Sequence, residues 1–68
     1  MEVSYKKLWK ILIDKELKKY QLRELAHISS NTMAKLGKNE PVNMSILLKI
    51  CEVLNCDIGD ICEFYVKQ

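Results

Sequence analysis

Apolar positions recur with a helical period along almost the whole chain. Tyr5, Leu8, Trp9, Leu12 and Ile13 fall at i, i+3, i+4, i+7 and i+8, the stripe of one amphipathic helix. Ser4 precedes that stripe as a good N-cap, so a first helix is predicted from about Ser4 to about Lys15, with Lys6, Lys7, Lys10 and Asp14 off the stripe. Trp9 is assigned to the core rather than to base stacking. A second helix covers about Tyr20 to Ala26, with Leu22, Leu25 and Ala26 on its core face. His27-Ile28-Ser29 then reads as a tight turn. His27 stands just past a helix end, where the backbone often takes positive φ, and Ile28 plugs the core. Ser29 caps a third helix, about Ser30 to Leu36, with Met33 and Leu36 inward and Ala34 available for close packing.

Gly37-Lys38-Asn39-Glu40-Pro41 is the clearest break in the pattern. Asn43 caps a fourth helix, about Met44 to Leu54. Leu47, Ile50, Cys51 and Leu54 form its buried stripe, and Leu48 broadens it. Asp57 caps a last helix, about Ile58 to Phe64, with Ile58, Ile61 and Cys62 inward and Asp60 in the dipole-favoured first turn. The tail from Phe64 extends this helix or runs as a short strand. Strand signals are weak elsewhere. The expected architecture is all-α: one compact domain over residues 1–68, built from five short helices, with no internal repeat or linker.

Sixty-eight residues bury little surface, so a dense helical core or a partner copy is expected. The hydrophobic share of 49% supports a globular core and argues against disorder. No apolar run approaches the ~20 residues of a membrane span, and no signal-peptide pattern opens the chain, so a cytoplasmic protein is the expectation. The net charge of +2 conceals an asymmetry. Residues 1–38 carry nine basic and four acidic side chains, and residues 39–68 carry two and five. Such a split suits one face that meets an anion.

Cys51, Cys56 and Cys62 are odd in number, which argues against a disulfide framework. Even with His27 added, their spacing of four and five intervening residues lacks any Cys-x-x-Cys pair, so no metal or other cofactor is expected. The predicted burial of Cys51 and Cys62 opposes thiol reactivity. An enzyme is not expected either. There is one His, no nucleophile–His–acid spacing and no phosphate-cradling glycine loop.

The third helix carries the most specific chemistry. A DNA major groove admits one α-helix, whose early residues meet base edges while flanking groups hold phosphates. Ser30, Asn31 and Thr32 open that helix and Lys35 follows one turn later, so these four are the candidate base contacts. Asn31 has the amide geometry to bond adenine twice, and Lys35 reaches guanine or a phosphate. Lys18 and Lys19 near the start of the second helix, Ser29 in the turn, and Lys38 after the third helix are the candidate phosphate contacts.

Three stretches together resemble a known family. They are Leu22-Arg23-Glu24-Leu25-Ala26-His27-Ile28-Ser29, Thr32-Met33-Ala34-Lys35-Leu36, and the run from Leu47 to Ile58. The chain is similar to the Cro/lambda-repressor, or Xre-like, helix-turn-helix domains over roughly residues 5–63. Arg23 stands where that family usually has a small Ala, and Ala26 is then expected to supply the close packing. His27 replaces the family's turn Gly, and Gly37-Lys38-Asn39 replaces its usual Glu and basic residue before Gly. The resemblance implies a sequence-specific regulator of double-stranded DNA, a repressor or autoregulator, with no small-molecule effector in view. One such module touches few base pairs, so a homodimer on two half-sites is expected. Ile46, Val53, Phe64, Tyr65 and Val66, apolar but outside the main stripes, are its candidate interface. The alternative is a protein-interaction module, antirepressor or antitoxin-like, that keeps the fold without reading DNA.

Overall fold

A computed structural model describes residues 1–67. Its elements run β1 (Glu2–Ser4), α1 (Lys6–Asp14), α2 (Lys19–Ala26), α3 (Ser30–Gly37), α4 (Met44–Leu54), a single 3-10 turn (Ile58–Asp60) and β2 (Glu63–Tyr65). Helix α2 packs against both α3 and α4, and the 3-10 turn packs on α4. One core joins the four helices, centred on Tyr5, Leu8, Leu22, Leu36, Ile50 and Ile61, each almost wholly buried, while the side chains of the 3-10 turn and β2 lie outside it.

Among the described residues, the expected five helices are four helices plus a small two-stranded sheet. The predicted last helix stops after one 3-10 turn. Asp57 does cap it, accepting from the Ile58 amide at 2.7 Å, and Asp60 returns the bond to the Asp57 amide at 3.0 Å. Ile61 and Cys62 then enter the core, as expected, and the chain extends to pair antiparallel with β1. The register sets Glu2 opposite Tyr65, Val3 opposite Phe64 and Ser4 opposite Glu63. Two aromatics suit a strand better than a helix end. The partner strand, however, lies some sixty residues away in sequence, beyond any local pattern.

The first helix starts later than predicted for the same reason. Ser4 belongs to β1, Tyr5 takes the N-cap position, and the Ser4 hydroxyl still accepts from the Lys6 amide at 3.3 Å. Several stripe edges also turn outward. Ile13 is 74% exposed because the core side of α1 is centred on Leu8 and Leu12, with Ile11 half-buried on the other flank. Leu25, Leu48 and Ile58, all expected inward, lie at the surface. Met33, Cys51 and Trp9 are half-buried against the core.

All four helices end alike. Glu16, His27, Asn39 and Asn55 have φ between 53° and 57°, and neither glycine has positive φ. Each residue closes a pair of reversed hydrogen bonds. After α1, Glu16 N–H donates to the Ile13 carbonyl and Leu17 N–H to Leu12. After α2, His27 donates to Glu24 and Ile28 to Arg23. This is the Schellman closure, which usually employs glycine because a Cβ is strained there. Asn tolerates that backbone well, and Glu tolerates it poorly. Glu16→Gly is therefore expected to stabilise the fold by about 0.5–1 kcal/mol after its added freedom in the unfolded chain is subtracted. A urea or thermal midpoint that stays put or falls would contradict this.

The cysteines are structural in their surroundings. The Cys62 thiol is buried and donates to the Ile58 carbonyl at 3.6 Å. Cys51 and Cys56 are half-buried. Burial, with the neighbouring Cys56 adding to it, pushes the Cys51 thiol from 9.0 to about 11. Burial also raises the Cys62 thiol and the Tyr5 phenol. The unfolded chain thus releases these protons at lower pH than the folded one. Stability is expected to fall as pH rises from 9.0 toward about 11. Cys51→Ala should flatten that decline in urea titrations across this range, and an unchanged slope would refute the assignment to Cys51.

Candidate nucleic-acid interface

Helices α2 and α3 and the turn between them are fixed from three points. His27 reverses the chain in the left-handed region, Ile28 is buried at 4% exposure, and Ser29 caps α3. The Ser29 hydroxyl accepts from the Thr32 amide at 3.2 Å and pairs with the Thr32 hydroxyl at 3.0 Å. Ala26 is buried where α2 meets the core, so it takes the close-packing role that Arg23, half-buried, cannot. At the other end of α2, the Lys18 amide donates to Gln21 Oε1 at 2.8 Å, one half of a capping box.

A single residue of α3, Leu36, is fully buried, with Met33 and Thr32 half-buried beside it. This roll presents Ser30, Asn31, Ala34, Lys35 and Gly37 to solvent. Asn31 and Lys35 are four residues apart, so they stand one above the other on the exposed face. Thr32 lies at the edge of that face, its hydroxyl engaged with Ser29. Ser29 itself is exposed, but its oxygen serves the cap. Ala34 was expected to pack closely and instead is exposed among the polar residues. Its methyl joins the outward face as a group that suits a thymine methyl. The 100° step between helical residues, counted from Leu36, was the sequence signal for this.

The flanking cations lie free. Among the described residues the ion pair present is Lys67–Glu2 at 3.6 Å, and Lys18, Lys19, Lys35 and Lys38 are exposed without a carboxylate partner. Helix α2 begins with Lys18 and Lys19 and has no acid in its first turn, the reverse of what its dipole favours. An anion at that end relieves the repulsion and meets free backbone amides. The Lys19 ammonium rests over the Trp9 ring, 4.3 Å from its centroid. That contact holds Lys19 near the start of α2, and no local pattern announced it. Lys38 follows the last residue of α3.

The proposed dimer residues separate into two groups. Ile46 and Val53 of α4 pack against the core. Phe64 and Val66 are 71% and 69% exposed on and beside β2, with Tyr65 also exposed and its hydroxyl donating to Glu2 Oε2 at 3.0 Å. Among the described residues no helix is long and apolar enough to cross a membrane.

Comparison with known proteins agrees with this geometry. The model of the Cro/C1-type helix-turn-helix DNA-binding domain matches residues 7–67. The crystal structure of the transcriptional regulator VanUg is similar, with a TM-score of 0.89 and 61% sequence identity. That similarity covers 91% of this chain and 83% of VanUg. No curated protein matches. On the span of that family match, the identity to a solved transcriptional regulator, and the capped turn between α2 and α3, the chain belongs to the Cro/C1-type helix-turn-helix DNA-binding domain family.

Proposed function

We propose that the protein is a sequence-specific transcriptional regulator that inserts α3 into the major groove of an operator. The observation that carries this reading is the outward face of α3. Asn31, Ala34 and Lys35 stand together there, on a helix held from behind by Leu36. Ser30 lies at the start of that face and Thr32 at its margin, giving the base-contact set Ser30, Asn31, Thr32 and Lys35, to which Ala34 is added. Lys18, Lys19 and Lys38 hold phosphates on either side, and Ser29 fixes the helix start. There is no chemical step. The protein acts as a repressor or autoregulator by occupying DNA that the transcription machinery needs.

Useful specificity requires a second copy, because one module reads only a few base pairs. Phe64, Tyr65 and Val66 are the exposed apolar side chains that suit such an interface, whereas Ile46 and Val53 pack against the core. Gel shifts on fragments around the gene's own promoter, run across a salt series, test the reading. A specific shift that weakens steeply with salt is expected. Affinity that ignores both sequence and salt would refute it and leave a protein-interaction module in its place. Sedimentation of wild type and Phe64→Glu, with and without operator, tests the dimer.

A further inference from the structure

The end of α3 is built in an unusual way. Asn39 takes the left-handed conformation at φ 56°, its amide donates to the Leu36 carbonyl at 3.2 Å, and the Glu40 amide donates to Lys35 at 2.9 Å. The backbone there would favour glycine. What asparagine adds is its side chain, whose Oδ1 accepts from the Tyr5 amide at 3.1 Å, across 34 residues of sequence. Tyr5 in turn is 1% exposed, and its phenol donates to the Glu40 carbonyl at 2.8 Å. A single buried residue at the junction of β1 and α1 thus grips both residues that close α3.

Leu36, next to last in α3 and its one fully buried side chain, anchors the helix up to that point. Lys38 lies beyond this anchor, exposed between Gly37 and Asn39. We propose that Tyr5 and Asn39 form a latch that fixes the chain where it leaves α3, and are positioning residues for DNA binding through Lys38. This rests on the DNA-reading function proposed above. With the latch closed, the Lys38 ammonium starts from a fixed base. With it open, the residues after Leu36 fray, and binding must order them at a cost in affinity.

Asn39→Gly is the clean variant, since it keeps the left-handed backbone and removes only the acceptor. The lost hydrogen bond and the relieved backbone strain offset one another, so the unfolding midpoint should stay near wild type. Operator affinity should fall about tenfold, and the slope of log affinity against log salt should shrink by about one as Lys38 disengages. In a Lys38→Ala background the same change should lose most of its effect on affinity, which a purely structural contribution would not do. Tyr5→Phe, which keeps the ring in the core and removes the phenol oxygen, should act in the same direction. Wild-type affinity and slope in Asn39→Gly, or a full tenfold loss persisting without Lys38, overturns the latch. Wild-type protein that binds no operator overturns the DNA-reading function first, and is seen before any variant is made.

Discussion

Replacing Asn31 and Lys35 together with alanine is expected to weaken operator binding by roughly 30- to 1,000-fold, about 2–4 kcal/mol, while the protein stays folded. Both side chains are exposed and neither takes part in an intramolecular hydrogen bond or ion pair among the described residues. Alanine is the better helix former at both positions, so the unfolding midpoint should hold or rise slightly. The single variants separate the two roles. Asn31→Ala should relax the preference at one base pair, because a bidentate amide carries base identity. Lys35→Ala should either relax another position or lower the salt slope by about one, depending on whether its ammonium meets a base or a phosphate. Footprinting and salt titration on the same operator read both effects. Operator binding unchanged in the double variant would remove α3 from the interface.

Leu36→Ala is expected to be the most damaging single change to stability near the site, costing about 3 kcal/mol. Leu36 is fully buried and is the one such anchor on α3, so its truncation leaves a cavity where α3 meets the core. A domain of this size holds only about 5 kcal/mol in reserve, and most of that would be gone. Leu48→Ala makes the same chemical change at a position on α4 that lies largely in solvent. That variant should change the unfolding free energy measured in urea by no more than about 0.5 kcal/mol. Equal effects from the two would mean that the roll of α3 or α4 is wrong. Operator binding by Leu36→Ala should fall with the folded fraction of α3, whereas the Asn31 and Lys35 variants lose affinity without unfolding.

Much of the helical framework was legible in local sequence. Helix α4 begins at Met44 and ends at Leu54, as its period and the Asn43 cap indicated, and the Asn43 side chain accepts from the Ile46 amide at 3.0 Å. Ser29, Ile28 and His27 take their expected parts in the turn because capping, reversal and burial there depend on neighbouring residues. The outward set on α3 was only partly legible. Asn31 and Lys35 follow from position, while Thr32 is drawn to its cap and Ala34 comes to the surface. Which side of a short helix faces inward depends on how it is rolled against its neighbours. A stripe of two or three apolar residues fixes that roll to within a residue or so, as Ile13 and Leu25 also show.

The sequence by itself determined roughly where the first four helices lie, the caps at Ser29 and Asn43, and that a turn of the helix-turn-helix kind separates the second from the third. Those are matters of period, propensity and hydrogen bonds spanning a few residues. Only the tertiary structure decided that the chain's two ends pair as strands, that Lys19 lies over Trp9, and that Tyr5 holds Asn39 and Glu40. Each of these joins residues distant in sequence. Such contacts form only when the whole core has packed, so no window along the chain can contain them.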